Sequence, residues 1–302
     1  MTTLEDQQNA RFAALDPLLP RMGRLPAGEL LTAGAGAAGV LTKTVHPPGS
    51  WQSLWGPGEV WELLPVPGDA AAAGLATLLD VWRERMRRET PAPDSARVLT
   101  WPSRDAEVTR VLLDDGFVPW ISLAVRANEP VADPGADGVT VRQATEGDLE
   151  EVVELRLEEL RFSALVGTSV VRPEARELLT QEVLRSSRFG GRIWIAEVDG
   201  VAAGVACCGS PGPSQGGGRL PDGLWGYVGT LSVAPAARRL GIGRALMAIA
   251  HRELNGVDVR GTFLFYNPAN PLSTVFWHRQ GYRPLWTTWG SSPVWGRRRG
   301  RS

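Results

Sequence analysis

A glycine-rich turn between a predicted strand and a predicted helix carries the clearest chemical signal in this 302-residue chain. The apolar run from Tyr227 to Val233 predicts the strand, and the apolar periodicity from Arg244 to Glu253 predicts the helix. Amide groups at the start of a helix have no carbonyl partner, and the helix dipole favours an anion there. Since Gly241 and Gly243 carry no Cβ, an anionic group can approach the backbone closely. The turn therefore predicts a phosphate-binding site.

The sequence around this turn excludes two common nucleotide-binding motifs. No Gly-Lys-Ser/Thr follows, as a nucleoside-triphosphate P-loop requires, and Leu246 stands where a dinucleotide fingerprint has its third glycine. A second segment lies downstream, where residues 261–266 predict a buried strand and residues 271–280 predict a short helix. The polar, small and aromatic residues of interest there are Asn270, Ser273, Phe276, Gly281 and Tyr282. The phosphate-containing ligand is best identified from the glycine-rich turn and this downstream segment together.

These two segments, in this order, resemble the acetyl-CoA site of the GNAT acyltransferase superfamily over residues 139–290. The resemblance implies a mixed α+β fold of the α/β class, with a central mixed β-sheet flanked by helices. It implies acetyl-CoA as co-substrate, no metal, and transfer of the acetyl group to the amine of a small molecule or peptide. Gly281 and Tyr282 would help to line the CoA channel. The implied CoA contacts are Leu231, Ser232, Val233, Arg238, Arg239, Leu240, Gly241, Ile242, Gly243, Arg244, Asn270, Ser273 and Phe276.

The acid and base of the reaction do not follow from the resemblance. Many GNAT enzymes carry a carboxylate on the strand before the turn, where this chain has Thr230, and a tyrosine in the last helix, where it has Trp277. The nearby substitutes are Tyr227, Tyr266 and His278, although the tyrosines also fit core positions and the histidine fits an exposed one. Positioning alone, with water relaying the proton, is also chemically adequate. A second function stays open, a CoA-binding regulatory or interaction module without turnover.

Self-similarity indicates two tandem copies of one α/β unit. Residues 64–66 and 74–76 mirror residues 231–233 and 241–243 at one constant offset, and both halves continue with a predicted helix and strand. A tandem arrangement of this length is similar in architecture to the mycothiol synthase family. The predicted organisation is a degenerate N-terminal GNAT-like domain (1–126), a linker (127–138), a C-terminal GNAT acetyltransferase domain (139–290) and a basic tail (291–302).

The first copy lacks the residues that would bind a phosphate. Ala71 stands where the second copy has Arg238, and Asp69 adds a negative charge beside the same turn. Because a carboxylate repels a pyrophosphate, one working site per chain is expected, in the C-terminal half. The first copy is expected to contribute structure or to shape the acceptor site.

Two predicted helices, residues 148–162 and 174–185, should roof the acceptor site, as the resemblance implies. Glu158 and Glu159 lie near the end of the first helix, where a solvated helix face is favoured over a cation-binding pair. Residues 209–223, rich in glycine and proline, predict a flexible hairpin loop or lid beside the acceptor strand. Selection of the acceptor is therefore expected to come from this part of the chain.

The composition is that of a globular enzyme and argues against several partners. A net charge of −1 provides no electrostatic attraction for nucleic acid or for an anionic membrane. No apolar run reaches the length of a membrane span and the N-terminus does not resemble a signal peptide, so a cytoplasmic protein is expected, as a monomer or homodimer. Cys207 and Cys208 are expected to be buried thiols, and the arginines of residues 297–301 to be a solvated, disordered end.

Overall fold

A computed structural model describes residues 3–34, 36–131, 135–213 and 216–292. The arginines of the predicted tail and residues 132–134 of the predicted linker lie outside this part of the chain. In chain order, the first elements are α1 (Leu4–Leu15), β1 (Glu29–Ala33), β2 (Ala37–Val45), β3 (Glu59–Val66), α2 (Ala71–Met86), β4 (Ser95–Pro102), α3 (Ala106–Asp114) and β5 (Val118–Ala127). The chain continues with β6 (Val139–Gln143), α4 (Leu149–Val166), α5 (Ala175–Arg188), β7 (Arg192–Val198), β8 (Val201–Gly212), β9 (Leu224–Val233), α6 (Ile242–Leu254), β10 (Val259–Tyr266), α7 (Pro271–Arg279) and β11 (Arg283–Ser291).

Across the described residues, the strands form one mixed sheet with the order β1-β2-β3-β4-β11-β5-β10-β9-β8-β7-β6. The sequence strand–helix–strand–helix–strand occurs twice, as β3 to β5 and as β9 to β11. In both cases the first two strands pair in parallel. The α/β class and the large mixed sheet with its flanking helices are thereby confirmed. The repeated order supports the tandem organisation, whose boundaries stay a prediction.

The last strands of the two repeats exchange places in the sheet. β5 lies between β10 and β11 and is antiparallel to both, while β11 lies between β4 and β5. One apolar cluster spans this exchange, because Trp101 and Phe117 from the first half share it with Phe263 and Trp286 from the second. Each half therefore depends on a strand of the other for both its sheet and its core.

Strands β9 and β10 separate towards their C-terminal ends. Their parallel pairing ends at Val228 in β9 and Leu264 in β10. β9 continues to Val233, where it is still paired with Gly204 of β8. One edge of the backbone from Gly229 onwards therefore borders a gap between two strands, and its polar groups need another partner.

Helices α4 and α5 cover this gap. A capping box of Thr145 and Asp148 precedes α4, and the helix buries the apolar residues that its periodicity predicts. β8 extends to Gly212, which pairs with Trp225, so the first residues of the predicted loop 209–223 are strand. Within the described ranges, no helix is both long and apolar enough to cross a membrane.

Candidate functional site

A cavity of about 1670 Å³ opens where β9 and β10 separate. Its walls come from β9, from α4 and α5, from the glycine turn that begins α6, and from α7. Trp51, Trp55 and Ile121 of the N-terminal half also line it. The cavity therefore joins the predicted phosphate turn to a pocket beneath the α4–α5 roof.

The turn before α6 has a backbone that suits a bound phosphate. Gly241 immediately precedes the helix with φ +84°, and Arg239 has φ +74°. Such left-handed values are uncommon for residues with a Cβ and easy for glycine. Among the described residues, no side chain caps the start of α6, so the amides of Ile242 and Gly243 have neither a cap nor a preceding helical turn as partner. All four residues line the cavity.

The arginines of the turn lie at the same end of the cavity. Arg238, Arg239 and Arg244 all contribute to its lining. The Nε of Arg238 donates a hydrogen bond of 3.4 Å to the carbonyl of Val233, and its guanidinium carbon lies 5.3 Å from the ring centre of Phe162. Three guanidinium groups around free amides are a fitting arrangement for a polyphosphate.

The other predicted CoA contacts on this side differ in their exposure. Leu231, Ser232 and Val233 line the cavity along the open edge of β9. Leu240 instead directs half of its surface to solvent and borders a shallow outer groove. Leu240 is therefore outside the lining of the cavity, unlike the other predicted CoA contacts.

Helix α7 forms the facing wall. The Oδ1 of Asn270 accepts hydrogen bonds from the amides of Leu272 (3.0 Å) and Ser273 (3.2 Å), so this oxygen caps the helix. The Oγ of Ser273 is buried and has no hydrogen-bond partner among the described residues. A Cβ at Gly243 would lie 3.2 Å from Cε2 of Phe276, so Phe276 packs directly on the glycine turn.

The implied position of Tyr282 in the CoA channel is wrong for its side chain. Its hydroxyl lies 2.9 Å from Nε2 of His251 and 2.8 Å from Oγ1 of Thr262, and all three residues are buried. Burial raises the pKa of Tyr282 and lowers the pKa of His251 to about 3. After Gly281, at φ +85°, the chain enters β11 and the tyrosine ring packs against Trp277, with ring centres 5.5 Å apart.

The three predicted catalytic residues occupy different surroundings. Tyr227 lines the cavity and stacks on Phe263 with ring centres 5.0 Å apart, and burial raises its pKa to about 12. Tyr266 also lines the cavity, and burial raises its pKa. His278 is exposed on α7, with Nε2 3.4 Å from the Tyr266 hydroxyl. Because both phenols keep their protons near neutral pH, they can donate a proton to the cavity but not accept one.

A carboxylate that the sequence analysis assigned to a solvated helix face lies in this cavity. Glu159 contributes to the lining, and its Oε2 is buried without a hydrogen-bond partner in the described part of the chain. Burial raises the pKa of Glu159 to about 7, against the lowering effects of Arg156 and of a hydrogen bond with Thr230. The solvated interpretation is therefore wrong for Glu159, whereas Glu158 lies at the edge of the cavity and forms an ion pair with the half-exposed Arg161.

A β-bulge explains why strand periodicity did not reveal this contact. Cys207 of β8 pairs with Thr230, but Cys208 pairs with Val228, so the register shifts at Gly229. A bulge of this kind re-aims the side chains that follow it. Cys207 accordingly belongs to the core beneath α4 and α5, and Cys208 and Val228 belong to the core beneath α6. Thr230 thereby meets Glu159 of the roof.

The pocket beneath the roof is built by both halves of the chain. Arg156 is buried on α4 and forms an ion pair with Glu182 of α5. Its guanidinium carbon lies 5.4 Å from the ring centre of Trp51, whose ring centre is 5.3 Å from that of Trp55. The short 3-10 helix Trp51–Leu54 that carries this wall belongs to the N-terminal half. Sequence reasoning gave no signal for this contribution, because the contact spans about a third of the chain.

In the N-terminal half, helix α1 covers the elements that correspond to the cavity walls. Phe12 packs edge-on against Trp101 at the end of β4, with ring centres 5.7 Å apart. Arg11 forms an ion pair of 2.7 Å with Asp105, which caps α3. A Cβ at Gly68, in the turn before α2, would lie 3.1 Å from an α1 leucine. Helix α1 therefore occupies the groove in the first half that corresponds to the cavity of the second half.

Comparisons with known proteins agree with this geometry. Residues 150–282 match the acetyltransferase (GNAT) family. A GCN5-related N-acetyltransferase from Sphaerobacter thermophilus is 15% identical, with a TM-score of 0.54 over 85% of this chain and 76% of its own. Another from Kribbella flavida is 17% identical, with a TM-score of 0.47 over 88% of this chain and 90% of its own. No curated protein matches the sequence. The chain therefore carries, over residues 150–282, a domain of the GNAT acetyltransferase family.

Proposed function

We propose that this protein transfers the acetyl group of acetyl-CoA to an amine, at one site per chain in the C-terminal half. The observation that carries the proposal is the gap between β9 and β10, which leads directly to the uncapped start of α6. The pantetheine arm of CoA is an extended chain with two amides, and it can pair with the free edge of β9 as a strand would. The pyrophosphate then meets the amides and arginines of the turn.

The predicted CoA contacts divide into three groups under this proposal. The open edge of β9 binds the pantetheine through the backbone from Leu231 to Val233. The turn residues 238–244, apart from Leu240, bind the pyrophosphate. On α7, the unpartnered hydroxyl of Ser273 offers a hydrogen bond to a ligand, while Phe276 holds the turn and Asn270 holds the helix start.

The chemistry needs a neutral amine, a stabilised oxyanion and a proton for the departing thiolate. We assign proton donation to Tyr266 or Tyr227, because both line the cavity and remain protonated near neutral pH. His278 can act only through the Tyr266 hydroxyl, since it lies on the exposed side of α7. Amides on the open edge of β9 are available to the oxyanion.

The acceptor is an amine of a small molecule or peptide that enters beneath the α4–α5 roof. Trp51 and Trp55 give this end of the cavity an aromatic surface. Such a surface suits the apolar body of an acceptor. The degenerate N-terminal half then contributes one wall of the acceptor pocket and no second transfer site.

Calorimetry with acetyl-CoA and a thiol-release assay with a panel of primary amines test the proposal. The panel consists of benzylamine, tryptamine, spermidine and a lysine-containing peptide. We expect one acetyl-CoA per chain and thiol release that depends on an added amine. Binding without release to any amine would favour the second candidate, a CoA-binding module, for which Thr230 and the buried Trp277 at the usual acid–base positions are the supporting observation. Absence of acetyl-CoA binding would contradict both.

A further inference from the structure

We propose that Glu159 is the base that accepts the proton of an alkylammonium acceptor. The inference rests on the proposed acetyl transfer and assigns to that site the proton acceptor that its β9 strand lacks. Glu159 reaches the cavity from α4, and its buried Oε2 has no partner in the described residues. It meets Thr230, the position on β9 where the resemblance would place a carboxylate. A roof helix therefore supplies the carboxylate to the same part of the cavity.

Among the titratable groups around this carboxylate, Glu159 is the one that can accept a proton. The titratable and charged groups that influence it are Arg156 on α4, Glu182 on α5, Cys207 on β8 and Tyr227 on β9. Arg156 and Glu182 are paired with each other, so neither is free to exchange a proton. Burial raises the pKa of Cys207 and of Tyr227 to about 12, so both stay neutral. A pKa of about 7 leaves Glu159 half ionised at neutral pH, which suits a general base.

The proton and electron balance of the step is simple. The alkylammonium group gives one proton to the Glu159 carboxylate, and the nitrogen lone pair then attacks the thioester carbon. The C–N bond forms, the C–S bond breaks, and the second nitrogen proton passes to the departing sulfur with the phenols of the cavity as relay. Glu159 afterwards releases its proton to solvent. The anionic carboxylate also attracts a cationic acceptor.

Glu159→Gln keeps the size of the side chain and removes the base, and Glu151→Gln makes the same change on the exposed side of α4 as a control. Benzylamine, which is protonated at neutral pH, is compared with O-benzylhydroxylamine, whose nitrogen is already neutral. We expect Glu159→Gln to lower kcat for benzylamine by roughly a hundredfold or more and to spare O-benzylhydroxylamine. With wild-type protein, the benzylamine rate should rise with pH through about 7 and level off above it, and the variant should lose this rise.

A raised carboxyl pKa also has a consequence for stability that needs no acceptor. Between the unfolded pKa of 4.5 and the folded pKa of about 7, only the folded state holds the proton, so wild-type stability falls as pH rises across this range. Glu159→Gln escapes this loss. Its thermal unfolding midpoint should therefore match wild type near pH 4.5 and exceed it above pH 7, and Glu151→Gln should show no such difference.

The possible outcomes separate the two proposals. Unchanged kcat and pH profile in Glu159→Gln, with benzylamine turned over by wild type, would reject the role of Glu159 and leave acetyl transfer intact. A raised KM with unchanged kcat would show that Glu159 binds the cation and is not the base. A pH-independent difference in unfolding midpoint would contradict the raised pKa and the base role with it. Absence of turnover by wild type with both acceptors would reject acetyl transfer together with the base.

Discussion

Substitution of Gly241 by aspartate and by asparagine tests whether a pyrophosphate lies at the turn before α6. The two side chains are nearly the same size and both tolerate the left-handed backbone that Gly241 adopts at φ +84°. A Cβ at this position would meet Ala136 at 3.5 Å and Arg244 at 3.6 Å, which are ordinary van der Waals distances. Both variants should therefore fold, and they differ only by one negative charge beside the proposed phosphate.

The magnitude follows from the distance between the charges. A carboxylate at Gly241 would lie about 5 Å from the nearest phosphate charge, where two unit charges repel by ~1 kcal/mol in water and ~3 kcal/mol at an effective dielectric constant of 20. This corresponds to a roughly 5- to 150-fold weaker affinity for aspartate than for asparagine. The neighbouring Arg244 guanidinium offsets part of the repulsion and moves the expectation towards the lower end. Added salt should reduce the difference, because the turn is partly exposed.

Titration calorimetry of acetyl-CoA into wild type, Gly241→Asn and Gly241→Asp at low and high salt measures this effect. Both variants should bind more weakly than wild type, since any side chain obstructs close approach to the backbone amides. Unfolding midpoints measured in parallel separate loss of binding from loss of structure. Equal acetyl-CoA affinities for the aspartate and asparagine variants would show that no phosphate lies at this turn.

Three further predictions address the proton donor and the N-terminal half. One of the two variants Tyr227→Phe and Tyr266→Phe removes the proton donor, and this variant should lower kcat roughly a hundredfold without changing the affinity for acetyl-CoA. His278→Ala should change kcat little. Near-wild-type kcat in both phenylalanine variants would refute a tyrosine donor. Asp69→Arg replaces an exposed anion in the turn before α2 by a cation. Calorimetry should still give one acetyl-CoA per chain, because α1 covers the groove of the N-terminal half. A second bound acetyl-CoA would contradict this. The fragment 138–302 lacks β5, so circular dichroism and gel filtration should show loss of native structure, and a folded active fragment would show that the halves are merely tethered.

The elements around the phosphate turn could be predicted from the sequence because their signals are local. Apolar runs and periodicity gave β9, α6, β10 and α7 to within a few residues, and glycine chemistry placed the turn between the first two. The predicted helices 148–162 and 174–185 correspond to α4 and α5. Each of these features is decided within a window of about a dozen residues.

The position of Glu159 could not be predicted in the same way. Its neighbour Glu158 has the same charge, also borders the cavity and forms an ion pair with Arg161, so residue type alone does not distinguish the two. The two point in different directions from α4, and Glu159 meets Thr230, which a bulge at Gly229 turns towards the roof. A bulge is a difference in pairing between two strands, and no residue pattern within β9 alone reports it.

The strand exchange gives the first half a structural role that requires no ligand site of its own. β5 separates β10 from β11, so removal of the first half would leave β10 without its neighbour and the core beneath it open. Helix α1 covers the first groove and is followed by Asp16, which forms an ion pair of 2.5 Å with Arg283 of β11. The elements that cover the first groove thus also secure the last strand of the second half. The first half is therefore needed as structure, because neither half completes the sheet alone.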